Sequence, residues 1–483
     1  MKLSKLIIVA LVILLYGCSN DDDAVTLTPL SGNVFFEESE VVVDRNSSTP
    51  FEVTINFSGP KRDQDISVGY RITLPAFNPA VAGEDFQPQQ NSEFVISRSN
   101  ASVTVPLVES ILDNPDVTEE RFFTIELDEI SGLTLGNPNT GENSSLTVII
   151  RPDVPPTDPN DPDDFVGDKK FSVSQDDDTF VIPYFSNVDD ITLTENPNIT
   201  RVVIAVHGTS GTASRQLRNM MEAATIEGFP LENLLIVAPQ FLEEDDVGPF
   251  RLSAEHLLWD GNEWHDGALS VGSEEIASFS VMDSLITRLL DYPNLQDIVL
   301  TGHSGGGQFT NRYSMSSPIA DDVEARGVNI RFIPNNPASY TYLDNRRLVP
   351  GTENTFEVPA NLRGCGEFND YRYGLEGLFG YLDDIGAETI RERLHLRRVI
   401  YLVGGNDNNP SFPNFDRRCQ ALLLGRHRLE RGINYFNYLQ FYYNDVFNID
   451  ITETQNMEIV PRVGHSSSGM YTSEVGRRYI FRD

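Results

Sequence analysis

Over residues 25–150 the hydrophobic positions fall in short runs that alternate with polar ones and are broken by Asn, Gly, Pro and Asp. The runs are Val41-Val42-Val43 and residues 51–57, 67–72, 102–107, 122–127 and 146–150. A period of two sends one face of each strand to a core and the other to water, so strands this short and this regularly spaced predict an all-β antiparallel sandwich. From residue 170 the pattern changes. Residues 202–206, 234–238, 298–300, 330–333 and 399–403 are almost uninterrupted apolar runs, with helix-length segments such as 277–290 and 433–443 between them. Strands buried on both faces and alternating with helices predict an α/β unit with a mostly parallel sheet. Between the two patterns, residues 152–168 read PDVPPTDPNDPDDFVGD, stiff, self-repelling and without periodicity. The chain is therefore expected to be multidomain: a sandwich over residues 25–151, a linker over 152–169 and an α/β unit over 170–483.

The first residues change where this chain is expected to work. Lys2 and Lys5 precede an apolar run over residues 6–15 and then Tyr16-Gly17-Cys18, the layout of a bacterial export signal whose apolar part is too short to span a membrane. Leu15-Tyr16-Gly17-Cys18 resembles the lipoprotein processing box, which implies a signal peptide over residues 1–18 and a lipid on Cys18. An ordinary signal peptide with an incidental cysteine is the alternative. The acidic tether over residues 19–24, beginning Ser19-Asn20-Asp21-Asp22-Asp23, is similar to the tag that sends lipoproteins of the Bacteroidota to the outer face of the outer membrane. The address implied is the cell surface, with the periplasmic face second and the membrane reached only through the lipid. In such an oxidising compartment the two remaining cysteines, Cys365 and Cys419, are expected to pair, two separate buried thiols being the alternative. Acidic residues outnumber basic ones by 72 to 36, a net charge of −36. That field excludes nucleic acid as a partner and disfavours polyphosphate substrates.

Candidate chemistry gathers around Gly302-His303-Ser304-Gly305-Gly306, which follows the apolar Ile298-Val299-Leu300 and precedes a helix-compatible stretch. A serine on a tight strand-to-helix turn stands clear of the sheet, with small neighbours letting backbone pass, which is the geometry a nucleophile needs. A serine hydroxyl reacts only when a histidine takes its proton, and a carboxylate orients that histidine. On α/β-hydrolase sheets the acid and then the histidine follow late strands. Tyr401-Leu402-Val403 runs into Gly404-Gly405-Asn406-Asp407, and Ile459-Val460 runs into Pro461-Arg462-Val463-Gly464-His465. Ser304, Asp407 and His465 are thus the expected nucleophile, orienting acid and general base, with Asp416 the rival acid. The other six histidines lack this placement, and His207 is expected to pack beneath the oxyanion loop. The oxyanion donors expected are the backbone N–H of Gly305 and that of Thr209 or Ser210, in His207-Gly208-Thr209-Ser210-Gly211.

Residues 180–480 resemble a family of secreted bacterial and fungal α/β-hydrolases, serine esterase-like and loosely defined in substrate. The likeness runs through Val203-Ile204-Ala205-Val206-His207-Gly208-Thr209, Ala238-Pro239-Gln240-Phe241-Leu242, Gly302-His303-Ser304-Gly305-Gly306-Gly307, Asn336-Pro337-Ala338-Ser339-Tyr340, Arg428-Leu429-Glu430-Arg431-Gly432 and Val463-Gly464-His465. It implies the same triad, position by position, and supports the Cys365–Cys419 pairing. In the N-terminal part, Ala82-Gly83-Glu84-Asp85-Phe86 and Thr118-Glu119-Glu120-Arg121-Phe122 resemble Calx-β domains. In some of those, carboxylates hold calcium, for which Glu84, Asp85, Asp113 and Glu119 are the candidates here. Arg151-Pro152-Asp153 replaces the usual closing Asp-Asp pair, so a solvated acidic edge without metal is the expectation. No other cofactor is implied. Trp259, Trp264, Tyr340, Tyr342 and Tyr373 are expected in core or lid packing, a substrate platform being the alternative. The function expected is hydrolysis of carboxylic esters through an acyl-enzyme, on extracellular polysaccharide or polymer esters. A serine peptidase and a non-catalytic surface binding protein that keeps the fold are the alternatives. Oligomeric state, acyl group and alcohol are not legible.

Overall fold

The computed structural model describes residues 29–45, 51–112, 120–138, 143–151, 166–167, 169–175, 178–209, 211–272, 275–360, 362, 364–412 and 415–482. The export signal with Cys18, the acidic tether, nearly all of the linker, Asp113, Glu119 and Ser210 lie outside the described residues. Among those described, no helix is long and apolar enough to cross a membrane.

The N-terminal part is all-β, with a four-stranded and a five-stranded sheet packed over one core that includes Val34, Phe36, Ile55, Val68, Phe123, Ile125 and Val148. The alternation forecast from the sequence is visible in Val53–Ser58 and Ile66–Thr73, whose odd and even positions are buried and exposed in turn. The pairing is antiparallel except at its start, which corrects the expectation in part. The chain enters on Asn33–Phe36 in one sheet and crosses to Glu40–Asp44 in the other. Each half pairs in parallel with a late strand, Thr134–Leu135 and Ser145–Arg151. The first strand is thus shared between the two sheets: Asn33–Phe36 lies second in the four-stranded sheet and Glu40–Asp44 forms one edge of the five-stranded sheet.

The acidic segment over residues 82–86 is only partly solvated. Glu84 is exposed, but Asp85 is buried: its Oδ1 lies 2.5 Å from Arg45 Nη2 and its Oδ2 accepts the Val81 N–H at 2.6 Å. Both oxygens are therefore committed to protein partners rather than to solvent, and the buried cation opposite them is 40 residues away in sequence. Among the described residues no cluster of three or more His, Cys, Asp or Glu is arranged to hold a metal ion. Removing one partner leaves the other as an isolated buried charge. Arg45→Met is expected to destabilise the sandwich by about 3–5 kcal/mol, and the Arg45→Met/Asp85→Leu pair by much less. Urea unfolding followed by far-UV circular dichroism reads this, since both tryptophans lie in the C-terminal unit; equal losses in the single and double variants would contradict it.

The C-terminal part is built on one eight-stranded sheet. Its strands are β1 (Lys169–Gln175), β2 (Asp178–Ser186), β3 (Arg201–Val206), β4 (Leu234–Pro239), β5 (Asp297–His303), β6 (Asn329–Asn335), β7 (Val399–Gly404) and β8 (Gln455–Val460). They lie in the order β1-β2-β4-β3-β5-β6-β7-β8, parallel from β4 to β8, with β2 antiparallel to both neighbours. This is the mixed sheet of an α/β-hydrolase fold. Successive residues of one strand serve opposite faces: Val202, Ile204 and Val206 join one core, Val203 and Ala205 the other. Helices on both faces explain why these strands read as unbroken apolar runs. Those nearest the site are α1 (Ala213–Glu227), α2 (Ser278–Leu289), α3 (Gly305–Ser316), α4 (Arg428–Gln440) and α5 (Ser467–Thr472). α4 starts five residues before the apolar period suggested, because the His427 side chain accepts the Glu430 N–H and caps it.

The two parts are docked. The Glu222 carboxylate on α1 accepts the backbone N–H groups of Ala76 and Phe77, at 3.1 and 3.0 Å, and Arg218 meets Glu40 at 3.0 Å. Phe77 packs on the core that holds Met221, Ala224 and Met470, and Asn409 donates to the Pro138 carbonyl at 3.1 Å.

Candidate active site

Four strand ends meet on one rim of the sheet. β5 ends at His303, and Ser304 turns the chain into α3 with φ 59° and ψ −112°. A side chain in that region costs about 1–3 kcal/mol and persists only where its surroundings enforce it. Here the Ser304 N–H donates to the Asn335 carbonyl at 3.0 Å, and the Ser304 carbonyl accepts the Gln308 N–H at 3.0 Å. The turn also needs its glycines: a Cβ on Gly306 would sit 2.2 Å from the Val206 carbonyl oxygen, and one on Gly302 would sit 2.3 Å from that of Gly306. The serine is thus raised above the sheet while backbone passes beneath it.

The loop after β3 lies against this turn. A Cβ on Gly305 would come within 3.1 Å of the Thr209 nitrogen, and one on Gly208 within 3.5 Å of the Ser304 Cβ. Gly305 and the Thr209 nitrogen therefore lie close together beside the serine; the third predicted donor, Ser210, is outside the described residues. His207 packs under this loop, with its ring 4.6 Å from Trp264. Nε2 accepts the Phe241 N–H at 2.9 Å, so Nδ1 carries the proton and donates to the Gly208 carbonyl at 2.7 Å. Burial lowers its pKa to about 4, and the ring stays neutral. Gln240 grips the far end of the loop, accepting the Ala213 N–H at 3.1 Å and donating to the Gly211 carbonyl at 2.6 Å.

After β7, Asp407 is buried, and its Oδ2 lies 2.8 Å from Nδ1 of His465, which follows β8. The His465 ring is wedged between His303 at 4.4 Å and Phe412 at 4.5 Å. His303 immediately precedes Ser304, which brings the imidazole to the nucleophile turn. Among the described residues no hydrogen bond joins the Ser304 hydroxyl to His465, a looseness common in sites without substrate. Asp416, the rival acid, is engaged elsewhere: it accepts the Tyr373 hydroxyl at 2.5 Å and pairs with Arg418 at 2.9 Å. Cys365 and Cys419 are disulfide-bonded with Cα atoms 5.7 Å apart, tying that segment to the stretch before Tyr373.

Two supporting residues, Asn336 and Arg428, fall in segments that carry the resemblance but have no role legible there. Asn336, at φ 46°, accepts the Gly404 N–H at 2.7 Å and donates to the Gly464 carbonyl at 3.2 Å, holding the acid-bearing and histidine-bearing loops together. Its signal was a second asparagine after an apolar strand. Arg428 is buried with Nη1 3.6 Å from Asp407 Oδ1 and its guanidinium over Phe412. Burial pushes the Asp407 carboxyl up, with Arg428 opposing; burial, reinforced by Arg428, holds His465 well below the usual histidine value of 6.5. His465 is therefore neutral and able to accept a proton at neutral pH. The acid limb of kcat/KM is expected below pH 6.5, because activity is lost only as pH falls through the depressed pKa. Arg428→Gln is expected to move that limb upward; a limb at or above 6.5 in the parent protein would contradict the assignment.

The aromatic residues Trp259, Trp264, Tyr340, Tyr342 and Tyr373 are buried in the core and offer no exposed platform. A buried network continues below α3: Asp266 Oδ1 lies 2.7 Å from both Arg312 Nη1 and His265 Nδ1. A cleft of about 920 Å³ lined by Lys169, Asp190 and Arg288 sits at the β1 edge and includes none of these strand-end residues.

No family model matches the chain, and no curated protein matches it. Among solved structures, the chain is similar to LpqC, a poly(3-hydroxybutyrate) depolymerase from Bordetella parapertussis, at 20% identity over 66% of this chain and 86% of that one, with a TM-score of 0.42. It is similar to poly(aspartic acid) hydrolase-1 from Sphingomonas sp. KT-1 at 17% identity, covering 64% and 97%, with a TM-score of 0.42. The apo form of the Calx CBD1 domain matches 26% of this chain and all of its own length at 22% identity, with a TM-score of 0.21.

Proposed function

We propose that this protein is a serine hydrolase that cleaves carboxylic esters through an acyl-enzyme. The observation that carries the reading is the meeting, at one rim of the sheet, of a serine held at φ 59° and a buried Asp407–His465 couple 2.8 Å apart. In the first half-reaction Ser304 Oγ attacks the ester carbonyl as His465 Nε2 takes its proton, and the Gly305 and Thr209 N–H groups receive the oxyanion. Asp407 fixes the proton on His465 Nδ1 and stabilises the imidazolium. The tetrahedral intermediate expels the alcohol, which leaves with the proton from His465. Water then repeats the sequence on the acyl-enzyme, returning the acid and the free serine.

The substrate class proposed is an ester carried on an extracellular polysaccharide or polymer, met by a protein tethered through a lipid on Cys18 at the outer membrane surface. Kinetics on matched aryl esters and aryl amides test the reaction class. Turnover of the aryl ester without turnover of the matched aryl amide supports an esterase; amide turnover that is lost in Ser304→Ala makes the protein a peptidase, and no turnover of either makes it a binder.

A further inference from the structure

Resting on that reading, we infer that the sandwich is part of the substrate site: the outer face of its five-stranded sheet carries the main chain of an acylated neutral polysaccharide whose ester reaches Ser304. A cleft of about 610 Å³ opens between the two parts of the molecule. One wall holds His465 and the start of α5; the other is the sandwich sheet.

The register explains what that second wall presents. Thr147 stands opposite both Glu40 and Thr124, and Thr124 opposite Thr73, so one row of side chains crosses four strands on a single face. Ser145 opens the neighbouring row opposite Glu126. The hydroxyls of Thr124, Thr147, Ser144 and Ser145 have no hydrogen-bond partner among the described residues, nor does that of Ser468 on the opposite wall. A row of β-branched hydroxyls at a sheet surface needs no ligand, but here it is half-buried and faces the segment that carries His465.

The charges decide the ligand's character. Arg215 and Arg218 are paired with Glu40, and Glu126 with Arg71, so within a chain of net charge −36 the cleft itself is close to balanced. A polyanion has no reason to enter it. Hydroxyls both donate and accept, and sugar hydroxyls do the same, so each wall hydroxyl can be matched in both directions. An aliphatic polyester offers only acceptors and methylenes, and would leave wall acceptors without a donor.

The docking contacts add a second reason. The sandwich holds α1, which follows the oxyanion loop, through Glu222, and holds the acid-bearing loop through Asn409. A wall fixed to α1 and to the acid-bearing loop stands in a set position relative to Ser304.

The test compares the intact protein with Thr147→Phe, which fills the cleft, and Thr147→Val, which removes one hydroxyl at constant volume. For each, kcat/KM is measured on acetylated xylan, p-nitrophenyl acetate and a poly(3-hydroxybutyrate) emulsion. The xylan-to-nitrophenyl ratio is expected to fall at least about tenfold in Thr147→Phe and about threefold in Thr147→Val, the loss of one net hydrogen bond. A ratio in Thr147→Phe within about twofold of the parent, with the melting temperature unchanged, overturns the wall. Turnover of the polyester but not of the xylan overturns the ligand class. Failure of the parent protein to hydrolyse even p-nitrophenyl acetate overturns the serine hydrolase reading beneath it and is separable from both.

Discussion

Ser304→Ala is expected to lower kcat on any ester substrate by about 10⁶-fold, the scale on which loss of a triad nucleophile acts. The alanine keeps the turn, so the drop reports the missing hydroxyl rather than a collapsed site. Active-site titration of the parent protein and single-turnover kinetics of the variant measure it. The backbone supplies a second readout from the same position. Alanine at φ 59° and ψ −112° is as strained as serine, whereas glycine is at home there. Ser304→Gly is therefore expected to be equally inactive and yet more stable than Ser304→Ala, by about 1 kcal/mol. Activity surviving in both variants would move the nucleophile elsewhere.

The second large effect lies at the acid. In Asp407→Asn an amide N–H₂ turns toward His465 Nδ1, the imidazole adopts the wrong tautomer, and Nε2 can no longer accept the serine proton. A loss of about 10⁴-fold in kcat follows, with little change in KM. Asp416→Asn is the contrast: it disturbs the contacts to Tyr373 and Arg418, but not the imidazole, and kcat is expected to stay within a few-fold of the parent. Steady-state kinetics of the two variants side by side separate the rival acids, and a larger loss at Asp416 would reverse the assignment.

The parts of this molecule that were legible in the sequence are those that local chemistry dictates. β3 to β7 stand out because burial on both faces favours near-continuous apolar runs, interrupted only where a polar side chain such as Thr301 or Arg331 finds buried hydrogen-bond partners. The serine turn stood out because its glycines have no substitute: a Cβ at Gly306 would occupy the space of the Val206 carbonyl. Asp407 and His465 are legible by position, each a short loop beyond a late strand, and the pairing of Cys365 with Cys419 from the oxidising compartment that the export-signal pattern implies. Contacts between distant segments left no local trace. Nothing near Asp85 foretells that its carboxylate faces Arg45, and nothing around Glu222 foretells that it accepts two backbone N–H groups of the other domain. Asn336 reads as an ordinary loop residue until β7 and β8 are placed beside it. The split first strand escaped for a related reason: Asn33–Phe36 and Glu40–Asp44 are only four and five residues long, too short for a period of two to show which sheet each joins.

Whether Ser304 is the nucleophile that His465 activates is read most directly by peptide mapping with mass spectrometry after treatment with a fluorophosphonate. A single adduct on Ser304 is expected, formed at a rate that rises with pH through an apparent pKa below 6.5 and lost in His465→Ala. An adduct on another residue, or labelling of Ser304 that is indifferent to His465, would contradict it.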